Sequence, residues 1–206
     1  LEFRRVLFRS ELYWVSSRPA GVRFMQAEVT VSQFRACVAA GACKTETFDE
    51  DGWDCNYGKS DRRAHPMNCV SWFGADAFCR WVGGRLPTEA EWFAEASNNN
   101  SRKYSWGNAA VVCARAVIYE NGAGCGRYST WPVCSKALGN SVSGLCDLAG
   151  NVLEWTSDWY SPDEKFRSLR GGSWFHSPLS ARASDRNYYG PSEQYFFIGF
   201  RCALSP

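Results

Sequence analysis

Apolar residues recur at three- and four-residue spacing in three stretches, and each carries its own helix start and stop signals. Over residues 30–40, Thr30 stands as N-cap, Gln33 takes the capping-box position, and Gly41 ends the helix. Over residues 71–82, Trp72, Ala75, Phe78, Cys79 and Val82 form one apolar stripe that stops at Gly83 and Gly84. That stripe places Cys79 on the buried side. Over residues 88–96, Thr88 and Glu91 form a second capping box. Residues 43–66 are polar, rich in Asp, Gly and Arg, and contain Cys55; they predict a long loop that needs a bridge to hold its shape. Residues 97–132 are rich in Asn, Gly and other small residues and predict irregular structure. Further on, residues 151–159, 168–174 (apart from a glycine pair) and 199–203 predict short strands. Helices first and short strands later predict an α+β domain with much irregular loop.

The chain of 206 residues, 45% hydrophobic, is long enough for one sizeable domain. Aromatic residues make up 16%, including 10 Trp, and such rings serve either as core anchors or as contact surface. A net charge of +2 with no basic block excludes a nucleic-acid partner. No apolar run reaches the roughly 18 residues of a membrane-spanning helix. The 10 cysteines change the picture most. An even set spread along the chain predicts disulfides and an oxidising compartment, so the protein is expected to be secreted, periplasmic or at the cell surface. A zinc site is disfavoured, because no Cys-x-x-Cys pair exists and only His65 and His176 could join as imidazole ligands. Proximity pairs Cys37 with Cys43 and Cys55 with Cys69, and leaves the other pairings open. Residues 1–10 resemble the translation of a cloning site joined to a sequencing adaptor, which leaves 11–206 as the domain. An export signal would have been lost upstream.

Four stretches, in order, carry a family resemblance: Gly84-Arg-Leu-Pro-Thr-Glu-Ala-Glu-Trp92, residues 144–159 (GLCDLAGNVLEWTSDW), Arg170-Gly-Gly-Ser-Trp174 and Ile198-Gly-Phe-Arg-Cys-Ala203. Together they resemble the formylglycine-generating-enzyme, or sulfatase-modifying-factor, domain family. The resemblance implies an irregular C-type-lectin-like fold of short helices and small antiparallel sheets, disulfide-rich. It also implies a Cys79–Cys202 bridge and a calcium loop made by the carboxylates of Asp147 and Glu154 and the carbonyls of Gly150 and Val152. Oxygen ligands in a tight loop suit that ion. At the family's other calcium site, Arg115 stands near an expected Asn, so that site is not expected. The family's opening Gly-Gly-x-Phe-x-Met-Gly strand is missing from the sequence.

The family's oxidases use two cysteines after the Gly-Gly-Ser motif to bind copper. Those positions fall at His176 and Ala181, and no cysteine lies between Cys146 and Cys202. Copper is therefore not expected, since Cu(I) needs thiolates. His176 with Asp185 or Glu193 as an acid–base pair, or with Ser173 as part of a triad, is a weak candidate. The segment 175–197 has a binding-loop composition instead, and it is similar to the variable proteins of diversity-generating retroelements, which use this fold as a ligand scaffold. Its candidate contact residues are Phe175, His176, Ser177, Leu179, Ser180, Tyr188, Tyr189, Tyr195, Phe196 and Phe197. Of the three consecutive rings at 195–197, at least one must face out of a strand. The expectation is a calcium-supported binding module for a protein or surface ligand. Its rivals are a formylglycine-generating or related oxidase acting on a protein cysteine, and a remnant without function.

Overall fold

The computed structural model describes residues 13–18 and 20–205, so the adaptor-like segment 1–10 lies outside the described residues. Three helices form where the capping signals stand: α1 (Val31–Ala39), α2 (Trp72–Trp81) and α3 (Glu89–Ser97). Both capping boxes close, with Thr30 and Gln33 on α1 and Thr88 and Glu91 on α3 exchanging bonds in each direction. Ser71 caps α2 by accepting from the Gly74 N–H.

Among the described residues, seven strands make two sheets. β1 (Trp14–Ser16), β2 (Arg23–Met25) and β7 (Ala203–Leu204) form an antiparallel sheet in the order β1-β2-β7. β3 (Leu153–Trp159), β4 (Arg167–Arg170), β5 (Asn187–Tyr189) and β6 (Ile198–Gly199) form the second, in the order β5-β4-β3-β6. This second sheet is mixed rather than antiparallel throughout, because β6 pairs with β3 in parallel. The single strand expected over 199–203 divides into the ends of two sheets. Between them lie Phe200, Arg201 and Cys202, each fully buried, and Arg201 must turn inward to reach a carboxylate on β3. The strand expected to resume after the glycine pair stops at Arg170 instead. Gly171 and Gly172 take φ of +101° and +70°, and a Cβ on Gly172 would lie 2.7 Å from the Ser180 carbonyl oxygen.

The main core joins α1, α2 and the crossing between β6 and β7. Phe34 stacks on Phe78 at 5.9 Å between centroids, and Phe200 meets both edge-on. Trp155, fully buried on β3, donates its indole N–H to the Val70 carbonyl at 2.9 Å. All 10 cysteines are bridged: Cys37–Cys43, Cys55–Cys69, Cys79–Cys202, Cys113–Cys125 and Cys134–Cys146. The Cys79–Cys202 bond ties α2 to the β6–β7 crossing across 123 residues. A loop of that size restricts the unfolded chain by about 4–5 kcal/mol in the chain-entropy model. The long loop 43–66 is fixed by the Cys55–Cys69 bond and by Asn68, whose amide donates to the carbonyls of Asp54 and Phe196 at 2.8 and 2.6 Å.

Candidate functional site

The backbone of residues 195–197 is clamped one carbonyl at a time. Tyr195 accepts from the Cys69 N–H at 3.1 Å, Phe196 from the Asn68 amide, and Phe197 from the Leu153 N–H at 2.8 Å. The side chains are then left to make a ring cluster. Phe175 meets Phe196 at 5.2 Å and Trp174 at 5.6 Å. Tyr195 lies parallel to Phe197 at 5.2 Å, Tyr189 meets Tyr195 at 4.9 Å, and the His176 ring meets Phe197 at 5.1 Å. Phe197 is buried, Phe196 and Tyr189 are half-buried, and Phe175 and Tyr195 are 48% and 38% exposed. The outcome is a graded surface with a buried floor and an exposed rim.

The structure does not bring all the candidates together. Tyr188 points to the opposite side of β5 from Tyr189, as strand alternation requires. It packs on Tyr160 at 4.5 Å and Phe166 at 5.2 Å, in a separate exposed group with Arg186 over the Tyr160 ring. Leu179, 61% exposed, and Ser177 and Ser180 sit on or beside the short 3-10 turn Pro178–Ala181, outside the ring contacts. Trp174, the last residue of the Arg170-Gly-Gly-Ser-Trp174 stretch, also joins the cluster. Its indole N–H reaches the Phe196 carbonyl at 3.4 Å.

At the two positions where the sequence resemblance puts the oxidase cysteines, His176 is half-buried and Ala181 is buried. His176 Nδ1 and the Ser173 hydroxyl share a hydrogen bond of 2.7 Å, and that hydroxyl also accepts from the Phe175 N–H at 3.2 Å. Ser173 is fully buried. Burial pushes the His176 pKa down, with the Asp185 carboxylate opposing it. Glu193 is not part of this group; it accepts from the Gly190 N–H and closes a turn. A serine sealed beneath the rings and bonded to its neighbours orients His176 rather than offering a nucleophile.

Residues 147–154 form a tight turn in which Asp147, Gly150 and Asn151 take φ of +56°, +84° and +60°. Glu154, fully buried, receives the Nε–H and an Nη2–H of Arg201, each at 2.7 Å, and the Trp92 indole N–H at 2.9 Å. Glu28, fully buried beside it, accepts from the Val152 N–H at 3.1 Å and the Asn151 amide at 2.6 Å. Nothing in the sequence spacing links Glu28 to this turn. Burial raises the Asp147 pKa to about 6, and burial together with the charges of Asp147 and Glu154 raises that of Glu28 well above the usual carboxylate range.

Three buried carboxylates thus face one guanidinium. Among the described residues no three His, Cys, Asp or Glu side chains converge as a metal-holding set. An ion here would therefore rest on Asp147, Glu154 and the carbonyls of Gly150 and Val152. Outside the strands, no backbone hydrogen bond among the described residues ends on either carbonyl. The donor set is all oxygen and the local charge is negative, so it fits a hard cation such as calcium. Arg115 donates to the Leu138 carbonyl at 3.1 Å.

Comparison with known proteins gives one consistent picture. The family model described as sulfatase-modifying factor enzyme 1-like domain matches residues 17–206. The formylglycine-generating enzyme of Streptomyces coelicolor is 36% identical over 169 residues, covering 69% of this chain and 53% of that protein. The mouse (Mus musculus) protein named inactive C-alpha-formylglycine-generating enzyme 2 is 37% identical over 153 residues, covering 68% of this chain and 49% of that one. The chain therefore spans about half the length of these two relatives. Among solved structures, Treponema denticola variable protein 1 superposes with a TM-score of 0.71 at 21% identity, covering 95% of this chain and 92% of that one. At that identity the likeness is one of fold. With the short helices, small sheets and five bridges, it establishes the irregular C-type-lectin-like architecture. The bridges indicate an oxidising compartment, and no helix among the described residues is long and apolar enough to cross a membrane.

Proposed function

This chain belongs to the sulfatase-modifying factor enzyme 1-like domain family, and from that footing we propose that it is a calcium-supported binding module, secreted, periplasmic or held at the cell surface. Its rings between residues 175 and 197 take the ligand, a protein or another surface molecule. One observation carries this reading: every cysteine is bound in a bridge, so no free thiol stands near His176 and Ala181, where the resemblance puts the oxidase cysteines. Copper(I) held by two thiolates has no ligands there. What remains at that place is a ring surface on a clamped backbone, suited to contact rather than to chemistry.

Calcium, held by Asp147, Glu154 and the Gly150 and Val152 carbonyls, would neutralise the buried carboxylates and brace the turn that leads into β3. Its role in this reading is structural. Arg201 and Trp92 orient Glu154, and Glu28 holds the turn through the Val152 N–H.

The decisive experiment is aerobic incubation of a Cys-x-Pro-x-Arg peptide with folded, fully bridged protein, with and without copper, read by mass. No conversion is the expected result; copper-dependent aldehyde formation overturns the binding reading in favour of the oxidase. A glycan and peptide array then tests binding directly. Ligands retained by the wild type should be lost by Phe175→Ala with Tyr195→Ala. Calorimetry with calcium should show saturable binding that Asp147→Ala abolishes.

A further inference from the structure

Away from the ring surface, the turn at 60–65 and the segment 127–132 enclose a cleft of about 420 Å³. Asp61, Arg62, His65, Arg127, Ser129, Thr130 and Pro132 line it. The Thr130 hydroxyl accepts from the Asn56 amide at 3.0 Å and can give its own hydrogen to His65 Nδ1, 2.8 Å away. Arg62 Nη1, which can only donate, stands 3.3 Å from the same nitrogen. With donors on Nδ1, the ring proton belongs on Nε2. Burial, reinforced by the Arg62 charge, lowers the His65 pKa to about 4. The ring is thus a neutral N–H donor at neutral pH.

The surrounding charge is positive and poorly compensated. The Arg127 guanidinium and the Lys136 ammonium lie 3.6 and 3.7 Å from the centroid of one indole, Trp131. Among the described residues neither forms a salt bridge. Burial and the Arg127 charge push the Lys136 pKa down, so the two cations repel across the ring. Arg62 is bound to the Ser129 hydroxyl and is 3.6 Å from the Asp61 carboxylate, whose side chain is 77% exposed at the rim. Asp61 faces Arg62 and the buried Asp147 acts on Lys136, which leaves Arg127 without a carboxylate partner among the salt bridges of the described residues.

We propose that this cleft binds a tetrahedral oxyanion, a sulfate or phosphate group, between the guanidinium groups of Arg62 and Arg127 and the Nε2–H of His65. Donors from three separate points of the chain suit an anion with three or four oxygens better than a carboxylate with two. The anion relieves the repulsion around Trp131, and the fold already holds the donors in place. Trp131 and Phe196 both pack against the buried cluster of Val117, Ala123 and Trp174, so the cleft adjoins the aromatic surface. The proposal stands on the cleft's own residues and does not depend on what the rings bind.

The chain has 2 histidines, so proton NMR reads His65 directly and keeps His176 as an internal control. Sodium sulfate, phosphate, acetate and chloride are titrated separately at constant ionic strength, with His176→Gln used to assign the two signals. Sulfate, phosphate or both should shift the His65 ring signal saturably and raise its titration midpoint, while His176 stays unmoved; whichever acts identifies the anion. Arg127→Gln, which removes a charge that only stacks on Trp131, should weaken the effect at least tenfold. Lys136→Gln should weaken it several-fold and serves as the check if the first variant does not fold. No saturable shift with sulfate or phosphate, equal shifts with acetate and chloride, or an undiminished effect in both variants would each overturn the proposal.

Discussion

Two neighbouring parts of this molecule handle their side chains in opposite ways. Around Glu154 the groups that matter are polar, buried and bonded side chain to side chain, with Arg201 and Trp92 on Glu154 and, beside them, Asn151 on Glu28. Around Phe196 the backbone carbonyls carry the bonds, while the rings lie on top, partly in water. In the first region each side chain is required by another side chain. In the second the scaffold is held whatever the side chains are. A surface built this way can exchange its rings without loss of the fold, whereas the region beneath it cannot exchange anything alone.

That contrast can be broken by mutation, and the largest effect belongs to the buried region. Arg201→Met leaves the Glu154 carboxylate buried without its cation, and the loss of stability should be about 3–5 kcal/mol by chemical denaturation. A loss near that of a surface substitution would remove the distinction between the regions. Replacing Cys79 and Cys202 together by alanine should cost about 2–5 kcal/mol and lower the midpoint in the same assay. His65 sharpens the picture through pH. Its folded pKa of about 4 lies below the ordinary 6.5, so the unfolded chain binds more protons between these values. Its contribution is complete above about pH 6.5 and is lost as pH falls toward 4, on the order of 2–3 kcal/mol. Denaturation curves of wild type and His65→Gln across that range should converge at the acid end. The smallest effect is expected at the rim: Phe175→Ala or Tyr195→Ala should each cost less than about 1 kcal/mol of stability. The same substitutions should abolish retention on whichever array ligand the wild type holds.

The parts of this structure that were legible in the sequence are those with local causes. Thr30 with Gln33, and Thr88 with Glu91, announce helix starts because both partners of each box lie within one turn. The division of residues 199–203 between two sheets has no such signal. It follows from the need of Arg201 to reach Glu154, 47 residues earlier. The contact surface was legible as composition but not as arrangement. Pooling Tyr188 with Tyr189 ignored the alternation of β5, which sends one ring to Tyr160 and the other to Tyr195. Glu28 and the cations around Trp131 went unread for a similar reason. Each gains its meaning from groups distant in the chain, and nothing in its immediate neighbours marks it.

The bond between Cys79 and Cys202 also decides how the domain would behave under tension. A pull transmitted along the backbone from either side of the domain crosses directly through the sulfur atoms, bypassing the 123-residue span they enclose. At about 3.3–3.6 Å per residue, that shields on the order of 400 Å of chain from being drawn out. The shielded span contains the whole ring surface and Leu153, while Asn68 and Cys69, which seat Phe196 and Tyr195, lie just outside it. A module so wired could be stretched at its edges without its ring-bearing span being drawn out, until a reductant cut the shortcut.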